Sequence, residues 1–240
     1  MDVTSANAAG FRAEGDDVFG RIARRYDLLC DLFSLGAHRL WKSYMARRMA
    51  GFPGDTVLDL ASGTGDIPVR LLRLRGVGAR RISITDISPA MLAIAQRKIG
   101  DRESCRFALA DAENLAGVAD ASVDVLSISF GMKICDRGKV IAEAVRVLKP
   151  GGAFLCLEAA RIQWPWLHRL YLAYMAWCLP LIAQIAVTGD RSAYDYLLRG
   201  IREFPDQATF ARELEAAGFR EVGWRNLTFG IVALHTARRT

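Results

Sequence analysis

The segment Val57-Leu58-Asp59-Leu60-Ala61-Ser62-Gly63-Thr64-Gly65-Asp66 constrains the fold more than any other part of the chain. Thr56 to Leu60 is short, apolar and β-branched at its start, the pattern of a parallel strand covered on both faces. It breaks into a glycine-rich turn, and Asp66 falls in the first turn of the helix that follows. Gly63 and Gly65 let the backbone come closer to a ligand than any side chain would allow. Strand, glycine turn and helix in that order imply βαβ units and hence an α/β protein with a mostly parallel sheet.

The turn also bears on the ligand. A dinucleotide site calls for G-x-G-x-x-G, so that pyrophosphate can rest on a bare helix N-terminus. Here Pro68 takes the place of the third glycine, and Asp59 and Asp66 flank the turn. A carboxylate in the first turn of a helix is favourable in itself but repels phosphate. The turn suits a cationic ligand, such as the amino-acid end of S-adenosylmethionine (SAM). By itself it also fits a plain strand-to-helix turn in some other α/β protein.

Later strands repeat the theme. Arg81 to Asp86 is a second strand ending in an acid, 27 positions after Asp59. A carboxylate at that tip can accept from both hydroxyls of a ribose, with Ile87 beside it. Ser88-Pro89 starts a helix through Lys98, so an N-cap role is the competing use of such residues. Cys105 to Leu109 runs into Ala110-Asp111-Ala112, where Asp111 could meet an adenine amino group. Val123 to Ser129 reaches Phe130-Gly131. Arg137 to Leu148 reads as a helix stopped by the turn Lys149-Pro150-Gly151-Gly152, and Ala153 to Glu158 as the fifth strand. Acids and small residues thus collect at strand C-terminal ends, where open α/β sheets bind ligands.

Ahead of the sheet, Val18 to Asp31 and His38 to Met49 have helical periodicity. The first 17 residues are small and polar without an apolar stretch, and read as a flexible tail rather than a signal peptide. After the fifth strand, Leu170 to Val187 runs for 18 residues without a charge. That is the lower edge of a membrane span, yet the sheet must continue beyond it with Phe219 to Asn226 and Ile231 to Thr236. An apolar lid over a greasy substrate, built as a bent helical pair, fits better. Its Trp164, Trp166, Tyr171, Tyr174 and Trp177 favour an interface. Domain boundaries follow: tail 1–17, one domain 18–240, lid 162–203.

With 52% hydrophobic residues the chain can build a full core, and its net charge of +6 is modest. Scattered arginine pairs argue weakly for nucleic acid and better for an anionic surface. Five widely spaced cysteines give neither a zinc pattern nor a disulfide framework, so no metal is expected and a cytoplasmic location is.

Taken together, V-F-G-R-I-A-R-R-Y-D (18–27), H-R-L-W-K (38–42), V-L-D-L-A-S-G-T-G-D, T-D-I-S-P-A-M-L (85–92), I-S-F-G (128–131), R-V-L-K-P-G-G (146–152), P-D-Q (205–207) and N-L-T-F-G-I-V-A-L-H (226–235) resemble the UbiE/MenG C-methyltransferases of ubiquinone and menaquinone biosynthesis. The resemblance spans about residues 18 to 236. It implies a Rossmann-like class I methyltransferase fold: seven mostly parallel strands with an antiparallel last strand, N-terminal helices and a helical lid after strand five. It implies SAM as donor and a polyprenylated quinol precursor as acceptor. Carried over, Thr64, Asp86, Asp111, Ala112 and Ser129 would contact the cofactor, joining Asp59, Gly63, Gly65 and Ile87.

The departures from the family pattern cluster on the acceptor side. G-x-R-N is replaced by Gly131-Met132-Lys133-Ile134, E-F-S-K-P by Glu158-Ala159-Ala160-Arg161-Ile162, and Phe229 stands where N-L-T-x-G has a glycine. Phe204 replaces a histidine before P-D-Q. A different hydrophobic acceptor, or a decayed scaffold subunit, are therefore rival readings to quinol methylation. Catalytic candidates are Lys133 first, then Tyr26, with Asp27 and Tyr194 on the acceptor side; His38 is read as a structural cap before a catalytic group. Peripheral contact with the inner face of the membrane, a homo-oligomer and a quinone-biosynthesis complex are open readings of the partners.

Overall fold

A computed structural model of the chain describes residues 20, 22–77, 80–186 and 199–240, those from 178 to 186 by backbone alone. The expected tail, Tyr194 and residues 187–198 of the expected lid lie outside the described residues.

Fourteen elements carry the argument. Two N-terminal helices, α1 (Tyr26–Ser34) and α2 (Ala37–Ala50), are followed by β1 (Thr56–Leu60), α3 (Asp66–Leu72), β2 (Arg81–Asp86), α4 (Pro89–Ile99) and β3 (Cys105–Leu109). Then come β4 (Val123–Ser129), α5 (Arg137–Val147), β5 (Leu148–Ala159), α6 (Pro165–Ala186), α7 (Gln207–Ala216), β6 (Phe219–Leu227) and β7 (Val232–Arg239). The strands form one sheet in the order β3-β2-β1-β4-β5-β7-β6. Pairs among β1 to β5 are parallel, and β7 runs antiparallel to both β5 and β6. The expected architecture is present, antiparallel last strand included.

The sheet is covered on both faces, and the period of two along each strand decides which residue goes where. Val57, Ile82, Ile84, Val125, Leu155 and Leu157 pack with Met45 and Met49 of α2 and with Leu71 and Ala95. Leu58, Leu60, Leu126, Ile128, Phe154 and Cys156 pack on the other face with Val140 and Ala144 of α5 and Phe210 of α7.

Two local readings are corrected. The expected helix over 18–31 is interrupted: a 3-10 turn at Ala23–Arg25 precedes α1, and Leu35, at φ 49, ends it. Lys149 to Gly152 is not a free turn but part of β5, beside a register shift at Val123/Val125, with Gly151 at φ 75. Within the expected lid, α6 is one helix, and residues 199–203 are helical as well. No helix among the described residues is long and apolar enough to cross a membrane.

Candidate functional site

The order β3-β2-β1-β4 brings the ends of four strands side by side along one edge, the place where such sheets bind ligands. Ser62 N donates to Thr85 O (2.9 Å) and Ala110 N to Asp86 O (3.1 Å), so the loops after β1, β2 and β3 are stitched together. Ala61 and Phe130, which follow β1 and β4, both adopt left-handed backbone, at φ 46 and 57. Such conformations in non-glycine residues collect at functional sites.

Within the glycine turn the two glycines have different duties. Gly63, at φ 57, has only the Tyr26 ring within 4 Å of where a Cβ would lie, at 3.9 Å. Gly65, at φ 79, precedes α3, and a Cβ there would stand 2.9 Å from Ala95 Cβ. Gly63 therefore keeps an open face towards a ligand, whereas Gly65 is required by packing on α4. The reading that both are there to admit a ligand is corrected for Gly65, whose place is set by Ala95.

Asp86 is buried, and its carboxylate accepts from Gly63 N (2.7 Å) and Ser88 N (2.9 Å). These bonds fix the carboxylate across the glycine turn at the tip of β2. Asp111, half-buried, accepts from Glu113 N at 2.9 Å, and burial raises its pKa. Ala112 is buried, while Ile87 and Ser129 are half-buried at the tips of β2 and β4. An open glycine face, a fixed carboxylate and a second acid after the neighbouring strand suit a nucleoside carrying an amino-acid group.

Asp59 lies behind this surface. It is buried; its oxygens accept from Ser127 Oγ (2.5 Å) and Ser62 Oγ (2.6 Å), and burial pushes its pKa up to about 6. One oxygen holds the turn through Ser62, and the other ties β1 to β4 through Ser127. Asp66, expected to meet a cation in the ligand, already has cations of its own. Lys42 Nζ lies at 2.8 Å, Arg70 Nη1 at 3.2 Å and Lys98 Nζ at 3.6 Å. Despite the cost of burial, they hold its pKa well below the usual carboxylate range. The argument from a free acidic turn is thereby corrected.

Helix α1 closes on the turn from above. Asp27 accepts from Thr64 Oγ1 (2.6 Å) and pairs with Lys98, which also donates to that hydroxyl (2.9 Å). Asp27 is a clasp on the turn and does not line the acceptor side. Tyr26 does, since it is on the wall of a cavity of about 660 Å³ beside the turn. The neighbouring Cys30 thiol and burial push the Tyr26 phenol well above its ordinary value, so it stands there as a neutral hydroxyl.

The cavity is almost wholly apolar. Leu29, Phe33 and Trp41 come from α1 and α2, Phe130 follows β4, and Leu167 and Met175 come from α6. Lys133 is the candidate base that reaches it. Its ammonium lies 3.1 Å from Glu158 Oε1 and also donates to the Phe130 carbonyl; both ionic side chains are buried. Glu158 accepts in addition from Lys133 N (3.1 Å) and Ala159 N (2.7 Å).

The family follows from these features and from likeness at the level of sequence. The family model for ubiE/COQ5 methyltransferases matches residues 9–239. The chain belongs to that family. It is 45% identical over 227 residues to the ubiquinone/menaquinone biosynthesis C-methyltransferase UbiE of Acidiphilium cryptum, covering 93% of this chain and 89% of the relative. The UbiE protein of Brucella anthropi is 42% identical over 227 residues, covering 92% and 85%.

Solved methyltransferases share the fold. A SAM-dependent methyltransferase from Thermotoga maritima, described as a possible histamine N-methyltransferase, superposes with a TM-score of 0.66 at 17% identity, over 93% of this chain and 99% of that one. Human N-acetylserotonin methyltransferase, solved in complex with SAM, gives 0.63 at 17% identity, over 98% and 60%.

Sequence reasoning passed over Glu158, Lys42 and Trp41 as site residues. The signal was available in H-R-L-W-K: His38, Trp41, Lys42, Met45 and Met49 recur at helical spacing and are all buried on one stripe of α2. A histidine and a lysine on a buried stripe need partners, which pointed to a site.

Proposed function

We propose that the protein uses SAM to methylate a ring carbon of a hydrophobic, tail-bearing quinol. The observation that carries this reading is the apolar cavity of about 660 Å³ set directly beside the glycine turn, with Tyr26 shared between them. Gly63, Thr64, Asp86, Ile87, Asp111, Ala112 and Ser129 would hold SAM, with Gly65 and Asp59 shaping the turn around it. Bound there, SAM would supply an electrophilic methyl group and a sulfur leaving group.

The chain's own residues prepare the acceptor. Trp41, Phe130 and Met175 give the cavity an apolar wall, beside which a charge interaction is stronger than in bulk water. Lys133 supplies the positive charge that favours the ionised ring hydroxyl, whose electrons make the ortho carbon nucleophilic. Leu35, Leu170 and Phe229 line the cavity and are also exposed, so the rim is an apolar exit for a tail. The names of the relatives in ubiquinone and menaquinone biosynthesis support an acceptor of that kind.

The test is labelled SAM with a panel of chemically reduced, demethylated benzoquinols and naphthoquinols, read by mass spectrometry. One methyl gained on ring carbon is the expected result. Binding of SAM with no transfer to any quinol would move the assignment to another hydrophobic acceptor or to a scaffold.

A further inference from the structure

One polar pair on the cavity wall has no part in the chemistry above. His38, in the first turn of α2, is 5% exposed and lines the cavity. Its Nε2 lies 2.8 Å from Asp31 Oδ1 on α1. Arg39 grips the same carboxylate, through Nε to Oδ1 (2.7 Å) and Nη2 to Oδ2 (2.5 Å). The Arg39 guanidinium holds the Asp31 carboxyl down at about 2, so Asp31 is an anion and only accepts. Nε2 must then carry the hydrogen, which leaves the lone pair on Nδ1.

That Nδ1 is buried and has no hydrogen-bond partner. Burial also lowers the His38 pKa from its ordinary value, so the ring is neutral at pH 7. The charged groups bearing on it come from three helices. Asp31 of α1 and Asp66 of α3 favour the protonated ring; Lys42 of α2 opposes it. The residues that α6 gives to the cavity wall are Leu167, Leu170, Tyr171, Tyr174 and Met175, none of them charged at pH 7. His168 and His235 likewise have a bare Nδ1, but neither lines the cavity. Only His38 combines a fixed tautomer, a free lone pair and a place on the acceptor's wall.

We propose that His38 is the base that takes the ring-hydroxyl proton of the acceptor, with Asp31 as its positioning residue. The proposal rests on the quinol reading given above. In the step, the acceptor O–H bond breaks, its electron pair stays on oxygen, and a bond forms between that hydrogen and Nδ1. The imidazolium is stabilised by the Asp31 carboxylate on its far side. Once the ring carbon is methylated, its hydrogen leaves as a proton to solvent. The His38 proton returns to the ring oxygen, and the histidine ends as it began. Lys133 then has one task, to stabilise the anion, and need not lose its own proton.

The test has a binding arm and a kinetic arm. The chain has three histidines, so ¹⁵N-histidine labelling of the wild-type protein isolates the His38 signal. Titration with a short-chain hydroquinol, without SAM, should shift His38 Nδ1 and leave His168 and His235 unmoved. A bound hydroquinol that leaves Nδ1 unchanged overturns the proposal. In the kinetic arm, His38→Gln should lower kcat by about 100-fold or more with little change in KM. It should also erase the acid limb of the pH–kcat profile, and added imidazole should restore part of the rate in His38→Ala. Asp31→Asn should shift the acid limb and keep the fold. A His38→Gln enzyme with wild-type kcat and an intact acid limb overturns the proposal. Failure of the wild-type protein to methylate any quinol would sink the substrate reading instead; the binding arm, repeated with a simple phenol, still decides on His38.

Discussion

Lys133 Nζ and Glu158 Oε1 stand 3.1 Å apart with both side chains shut away from water. Among the described residues neither charge has another ion pair, and removal of one leaves the other stranded. Lys133→Met should lower stability by about 3–5 kcal/mol and abolish turnover while SAM affinity is kept. The double variant Lys133→Met/Glu158→Gln should regain most of the stability and none of the turnover. Urea denaturation and calorimetric titration with SAM measure both. Wild-type turnover in either variant would remove Lys133 from the reaction.

Gly65 is fixed by its neighbour rather than by a ligand. At φ 79, with Ala95 Cβ 2.9 Å from the place of a methyl group, Gly65→Ala should cost roughly 2–4 kcal/mol in backbone strain and overpacking. Gly63→Ala has open space around it and should cost only the backbone term, about 1–2 kcal/mol, yet should weaken SAM binding more. A chemical denaturation series beside a SAM titration separates the two; the opposite ranking would refute the division of labour.

Asp59 makes stability depend on pH. Its folded pKa of about 6 lies above the ordinary carboxyl value, so the native state favours the protonated form. That contribution is complete below about pH 4 and is lost as pH rises through about 6. Asp59→Asn keeps the shape and cannot ionise. Its stability relative to wild type should therefore rise by about 2–3 kcal/mol between pH 4 and pH 7.5. A difference that stays flat over that interval would contradict a buried, protonatable Asp59.

Phe229 sits at φ 59, with Thr228 before it at φ 45. Its ring is 68% exposed and rests 6.2 Å from that of Trp164, centroid to centroid. A left-handed phenylalanine costs about 1 kcal/mol that a glycine would not. Phe229→Gly should leave stability within about 1 kcal/mol, because relief of strain is offset by the freer unfolded chain. KM for long-tailed acceptors should rise several-fold and that for tail-less analogues should not. Equal KM changes for the two classes would place the tail elsewhere.

The sequence revealed most where causes are local. β1, β2, β3 and β4 begin and end where expected, because an apolar run bounded by turn residues needs no information from afar. β7 was cut short at Thr236, since Ala237-Arg238-Arg239 breaks the apolar pattern; pairing with Phe219 and Arg220 on β6 and with Ala153 on β5 carries it to Arg239. The same holds at the site. Asp86 and Tyr26 were legible from their places in motifs. The neutralisation of Asp66 by Lys42 joins residues 24 apart, and the Lys133–Glu158 pair joins residues 25 apart. No periodicity reports contacts of that kind, which only the packed elements create.

Trp41 Nε1 donates to Thr228 Oγ1 at 2.8 Å across 187 residues of chain. The two halves of the site consequently come into being at different times. During synthesis, the strands that carry the glycine turn, Asp86, Asp111 and Ser129 have all emerged by residue 129 and can pair with one another. Helices α1 and α2 emerge before them but lack their opposite wall until Thr228 to Val232 leaves the ribosome. The acceptor chamber is thus closed by residues that follow the last of these strands by about 100 positions, and a nascent chain can shape its nucleoside pocket long before it can admit an acceptor.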